Sequence, residues 1–363
     1  MFLTILVFIL ILGLLVFIHE LGHFVVAKRN GVRVDEFGFG LPPRVFGIKR
    51  GETIYSLNAL PIGGFVKIHG EDGEEKKDPR SFGSKKISQR AAILFAGVFM
   101  NFVLAVIFFG AVHYIGFPTA LNEEEIDNFP QAHLEIIGIA PNSPAALAGI
   151  EPADKIIALS NPVDGSKIEN IKRVVQFREF ADANRGKEII VSVQRQDAAL
   201  EFKIIPREDP PVGEGALGVE LVSVAKVSYP WWQAPWQGFL TTINLSGVIF
   251  ITFAEIIKNL FISGKAGIEV AGPVGIFNIT AQAAKLGFVY IVQLTALLSI
   301  NLAIINALPF PALDGGRLLF LAIEKIKGSP VSQKVERVTN TVGFALLIAL
   351  MVLITIKDLT RIF

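Results

Sequence analysis

The chain has 363 residues, of which 52% are hydrophobic and only 18% charged. Its mean hydropathy of +0.53 is too apolar for an ordinary soluble protein and implies several membrane spans. The formal net charge of +1 offers no global field for nucleic acid. With no cysteine there are no disulfides and no thiolate metal sites, so any bound metal must use His, Asp or Glu.

The first element is a long apolar run. Residues 2–18 are apolar or Gly except for Thr4, and residues 24–27 are apolar again. That length predicts a retained transmembrane helix over 1–28. A signal peptide is the other reading of such a start, but no basic residue precedes the run and no small-x-small cleavage site follows it. Lys28, Arg29 and Arg33 lie just after it, which places the N-terminus outside and residue 28 inside. Within this span sits His19-Glu20-Leu21-Gly22-His23. In a helix the two imidazoles stand one turn apart on one face with a carboxylate beside them, as a zinc site requires. A satisfied His-rich helix face is the bland alternative. Inside a membrane it weakens, because a central acidic residue alone costs roughly 2.5–3.5 kcal/mol by insertion scales.

Residues 29–90 combine a Gly- and aromatic-rich stretch, expected to form short strands, with a charged loop from 70 to 90 on the inner side. A second span is expected over 91–117, running inside to outside. Residues 123–210 change character, alternate like a small soluble domain and carry many of the acidic residues. A linker and a membrane-surface helix are expected over 211–287. Residues 238–262 are apolar enough to cross, but a crossing there would put the basic loop of Lys325, Lys327, Lys334 and Arg337 outside. Trp231, Trp232 and Trp236 also suit an interfacial helix. A third span is expected over 288–327 and a fourth over 338–358.

A catalytic zinc takes three protein ligands and keeps one position for water, and Glu20 is placed to act as general base. The third ligand must lie at the depth of His19 and His23. His113 is at the far end of the second span, and His69 and His133 fall outside the membrane. Asp314 is the best candidate. It follows Pro309 and Pro311, which break a helix at membrane depth, where unpaired backbone is tolerated only in a cavity or buried in protein. Taken alone, Asp314-Gly315 reads more readily as a turn with a capping carboxylate, and it is the His19-Glu20-x-x-His23 motif that favours the ligand. Iron and cobalt share these ligand types with zinc.

The pair His19-Glu20-x-x-His23 and Asn301 through Asn306, Pro309, Pro311 and Asp314-Gly-Gly resembles the site-2 protease family of intramembrane zinc metalloproteases, most closely its bacterial regulator-of-sigma-E branch. The likeness covers nearly the whole chain. It implies a mainly α-helical polytopic membrane protein of about four transmembrane helices, with a membrane-re-entrant β region and one inserted α+β PDZ domain. It implies one Zn2+ on His19, His23 and Asp314, with Glu20 as the catalytic base. It implies that Asn301 and Asn306 hold substrate backbone or the oxyanion, for which helix–helix hydrogen bonds are the structural alternative. Gly38, Phe39, Gly40, Gly63 and Gly64 match the part of the β region that pairs with an unwound substrate. Residues 139–159, with Asn142-Ser143-Pro144 and Asp154, resemble the family's PDZ domains, which in this branch often come in tandem; this chain has room for one.

The expected partners are the lipid bilayer, single-pass transmembrane proteins or peptides as substrates, and a peptide C-terminus at the PDZ. Nucleic acid is not among them. The expected location is a bacterial inner membrane, with the PDZ outside and the active site near the cytoplasmic side. Two other classes remain to be weighed. A non-catalytic PDZ scaffold has no need of a buried Glu20. A transporter usually pairs two broken helices in related halves, whereas the two motif-bearing spans here are unlike.

Overall fold

The computed structural model describes residues 2–71, 78–195, 198–263 and 271–362. The chain divides into two compact units, one of residues 1–115 and 230–363, the other of residues 116–229.

The first unit begins with helix α1 (Phe2–Arg29), ended by Lys28 and Arg29 in its last turn, where cations suit the helix dipole. Two long strands follow, β1 (Val34–Arg50) and β2 (Thr53–Ile68). Bulges fold this hairpin on itself, so that Phe37 partners Val66 on one side and Tyr55 on the other, while residues 46–50 partner residues 53–57. Residues 34–39 are therefore an inner strand and residues 64–68 an outer one. The sheet packs on α1 through Phe17 and Phe24 against Phe37, with Phe39 beside Phe17. The hairpin's far part exposes Leu41, Val45, Phe46, Ile48, Leu57 and Leu60. Helix α2 (Ile87–Ile115) then runs back along α1 and completes the first half of the unit.

The second unit is an antiparallel sheet with two short helices. Its strands are β3 (Phe117–Ala120), β4 (His133–Ile139), β5 (Lys155–Ser160), β6 (Lys167–Glu169), β7 (Ile189–Arg195), β8 (Ala198–Ile204) and β9 (Val219–Val227). They lie in the order β3-β9-β4-β5-β7-β8, with β6 on β5. Helix α3 (Pro144–Ala148) is capped by the Ser143 hydroxyl accepting from Ala146 N and closed by Gly149 in the left-handed region. Helix α4 (Val174–Ala183) buries Phe177 and Ala181 on a core of Leu134, Ile136, Leu159, Val191 and Val193. Asp154 is fully buried and held by the Arg195 guanidinium at 2.7 and 2.8 Å, the pairing a buried carboxylate needs. The unit runs further than the expected 123–210. Strand β9, which falls in the expected linker, pairs β3 on one side and β4 on the other.

The chain returns to the first unit with α5 (Ala234–Ser263), α6 (Pro273–Leu286), α7 (Phe288–Ala307), α8 (Asp314–Lys327) and α9 (Gln333–Ile362). The expected single span over 288–327 is two helices, α7 and α8, because Pro309 and Pro311 cannot continue an α-helix. Among the described residues five helices are long and apolar enough to cross a membrane: α1, α2, α5, α7 and α9. The fifth, α5, is the helix expected on the surface. It packs on α2 at a pair of glycines, where a Cβ on Gly238 would stand 2.4 Å from Gly110 N. His113 of α2 bonds Thr241 at 2.8 Å beside this crossing. Further on, Leu245 and Ile249 pack against Ala105, Phe109, Ala296 and Ile300.

Candidate metal centre

Four chain segments converge beside the middle of α1. His19 and His23 are both buried on the face of α1 that meets α2. Asp314 opens α8, directly after the loop from α7. That loop is held tightly: Ala312 sits at φ 72°, its N–H donates to the Asn340 side chain at 3.2 Å, and α9 presses on Pro311 at Gly343. Gly315 and Gly316 leave no room for a side chain, since a Cβ there would lie 2.1 Å from Leu308 O and 2.2 Å from Phe310 O. The glycines after Asp314 thus let α8 start against the broken end of α7.

The three ligand atoms form a near-equilateral triangle. His19 Nε2 lies 3.2 Å from His23 Nε2, and Asp314 Oδ2 lies 3.1 and 3.2 Å from them. A tetrahedral zinc with bonds of about 2.0–2.1 Å separates its ligands by roughly 3.3 Å. Asp314 Oδ2 is buried and accepts no hydrogen bond. Two imidazole lone pairs and an orphaned carboxylate oxygen repel one another until a cation joins them, so the donor set and its spacing fit a zinc ion. His23 Nδ1 faces the Ile93 carbonyl at 2.8 Å, the outer-shell bond that leaves Nε2 free to bind metal. His69, His113 and His133 stand elsewhere, near Asp35 and Asp78, on Thr241, and in β4 of the other unit.

Glu20 borders a cavity of about 190 Å³ with the two histidines and Asp314. Its far wall is Phe65, Val66 and Ile68 of the outer strand, with Glu71 at the rim. Glu71 pairs with Arg317, which lies one helical turn after Asp314. Of the residues expected to meet substrate, Gly64 is near this cavity, where a Cβ on it would be 3.9 Å from Glu20 Cγ, while Gly63 faces Val16 of α1. Gly38 and Phe39 lie on the inner strand instead, with Gly40 just after it. Gly38 admits the Phe65 ring and the Asn58 amide, and Gly40, at φ +80°, accepts from Asn58 at 3.1 Å. Asn301 donates to Leu297 O at 2.9 Å within its own helix. Asn306 lies in the last turn of α7.

Helix α2 contributes what the motifs do not show. A Cβ on Gly97 would stand 2.4 Å from His23 Nε2 and 2.7 Å from His19 Cε1, so only glycine lets both rings lie against α2. One turn on, the Asn101 amide faces His19 Nδ1 at 3.3 Å. Asn101 is the lone polar side chain among residues 91–112. A polar group is expensive at membrane depth, and that signal alone could have marked it.

The fold and the site define a polytopic membrane metallopeptidase, and comparison with known proteins supplies the family. The sequence profile of peptidase family M50 matches residues 7–350. The chain is 38% identical over 349 residues to a Clostridium perfringens protein provisionally named a zinc metalloprotease, covering 95% of each. It is 30% identical to the zinc metalloprotease RasP of Oceanobacillus iheyensis and 30% identical to the regulator of sigma-W protease RasP of Bacillus subtilis, covering 99% of each chain in both cases. The chain belongs to peptidase family M50, the site-2 protease family.

Proposed function

We propose that the protein is a zinc-dependent intramembrane endopeptidase that cuts single-pass membrane proteins or peptides in or near their transmembrane segments. The observation that carries this is the triangle of His19, His23 and Asp314 with Glu20 beside it. His19, His23 and Asp314 would hold a zinc ion, which would supply Lewis acidity there, lowering the pKa of a water to about 7 and polarising a nearby carbonyl. Glu20 takes a proton from the attacking water. The water oxygen adds to the peptide carbon, the C–N bond breaks, and Glu20 passes the proton to the departing amine.

A helical substrate hides its carbonyls in hydrogen bonds and must unwind first. The outer strand at residues 64–68 supports a role in holding it extended, because one edge pairs β1 and the other faces the cavity. Gly63 and Gly64 are the candidate contacts there. Asn301 and Asn306 are retained as candidates at the end of α7. The exposed apolar hairpin suits burial in lipid beside the site.

Two packing contacts support a topology. Asn101 of α2 meets Ser299 of α7, and Arg90 near the start of α2 meets Glu324 near the end of α8. The chain from α7 to α8 therefore runs opposite to α2, and residues 230–287 begin and end on one side of the membrane. With α6 only 14 residues long, α5 and α6 together read as a re-entrant pair. Four full crossings remain, α1, α2, α7 and α9. The second unit then lies outside the cytoplasm, and the site opens near the inner face.

We read the second unit as a PDZ domain. A groove of about 610 Å³ runs between α4, the start of β9 and the Gly213–Gly218 loop. Strand β9 pairs β3 only from Val224 onward, so residues 219–222 have an edge open to an added strand. A peptide C-terminus is the occupant proposed. The sigma-regulating role in the name of the Bacillus subtilis relative supports anti-sigma factors as a substrate class, and signal-peptide remnants are the second class proposed.

The test is metal content of the detergent-purified protein beside cleavage of a reconstituted transmembrane peptide. Wild type is expected to hold one zinc and cleave. Glu20→Gln should keep the zinc and lose about 10²–10⁴-fold in rate. A Glu20→Gln chain with full cellular function would favour the scaffold reading.

A further inference from the structure

The two zinc-facing histidines present the same atom, Nε2, to the centre, so each must carry its ring hydrogen on Nδ1. For His23 the acceptor of that hydrogen is the Ile93 carbonyl. The group opposite His19 Nδ1 is the Asn101 side chain at 3.3 Å. Ile93, Gly97 and Asn101 follow one another at intervals of four, so a single stripe of α2 faces the histidine pair. The stripe offers a carbonyl, a gap and an amide.

As placed, the amide nitrogen of Asn101 points at Nδ1 and its oxygen is buried with no partner. That arrangement sets donor against donor once Nδ1 is protonated. A half-turn of the terminal amide exchanges the two atoms without moving anything else. Nδ1–H then donates to Oδ1, and one amide nitrogen is left unpaired in place of the oxygen. The asparagine is fully buried, and its own main-chain carbonyl accepts from Ser299 Oγ at 2.8 Å, so α7 fixes the turn that presents it.

We propose that Asn101 is a positioning residue for the metal centre: its side-chain carbonyl accepts from His19 Nδ1–H and locks the tautomer and ring angle that turn Nε2 to the ion. This rests on the metal reading of His19, His23 and Asp314. It gives the second span a direct part in metal affinity although it contributes no ligand. It also explains why a lone polar side chain is kept in the middle of an apolar helix.

The readout is the zinc dissociation constant of the full-length protein in detergent, by chelator competition, with the cobalt-substituted absorption spectrum as a second signature. Asn101→Leu and Asn101→Ala remove the acceptor, and both should weaken zinc 10–100-fold, the usual effect of losing an outer-shell partner. Asn101→Asp restores an acceptor to Nδ1–H and should stay within about threefold of wild type, with a cobalt spectrum like that of wild type. If Leu or Ala does not elute as a folded species, Asp is judged against the other. A packing role predicts the reverse order, with Leu tolerated and Asp damaging. Leu at wild-type affinity, or Asp as weak as Leu or unfolded in excess zinc, overturns the proposal. His19→Ala run alongside separates the two claims. Zinc bound by wild type and lost in His19→Ala upholds the metal reading whatever Asn101 does, and a wild type without zinc overturns both.

Discussion

Helices α1 and α2 lie against each other and build the same centre, but they do so by opposite means. Helix α1 donates charge and lone pairs: two imidazoles and a carboxylate, in a spacing that reads directly as chemistry. Helix α2 gives no ligand. It supplies a missing side chain at Gly97, a main-chain oxygen at Ile93 and an amide at Asn101. The lesson is that a metal site needs both something to bind with and a surface shaped to hold the binders still.

This contrast sets the order of expected effects. Asp314→Ala removes a ligand and should abolish stoichiometric zinc and all cleavage, as read by metal analysis. Gly97→Ala comes next, although it is a one-carbon change in a helix with no ligand. The added carbon would displace both rings, and a displacement of about 1 Å costs about 10²-fold in rate. Zinc affinity should fall with it; near-wild-type metal binding in Gly97→Ala would mean that α2 does not shape the site. Arg317→Ala should cost about tenfold in kcat/KM, or roughly 1.4 kcal/mol, by freeing Glu71 at the cavity rim and loosening the first turn after Asp314. Arg317→Lys, which keeps the charge but not the fork, should fall between. Asn301→Ala should be smallest, within about threefold, because its amide is already used by Leu297 O. A loss above tenfold there would return Asn301 to the substrate.

Sequence made α1 legible because its information is local. Three ionisable residues at helical spacing in an apolar run have few other uses. Asp314 was legible through the prolines before it. The contribution of Gly97 was not, since a glycine in an apolar helix looks the same whether it faces lipid or an imidazole. Asn101 carried a signal, its cost at membrane depth, that motif spacing does not register. The β region was half legible. Its strands followed from composition, but bulges decide which strand is inner, and they moved Gly38, Phe39 and Gly40 away from the cavity. Strand β9 was hidden because it follows a Pro- and Gly-rich stretch that reads as a boundary. Helix α5 shows the limit of charge counting, which fixes on which side a segment starts and ends but not how deep it goes between them.

The proposed ligands are far apart along the chain. Asp314 follows His23 by about 290 residues. Every nascent chain shorter than that third ligand carries the motif helix without a complete centre. A peptidase embedded in the membrane where new proteins are inserted therefore stays inert until Asp314 has been made. It arms itself only when α7 and the residue that follows its broken end are delivered.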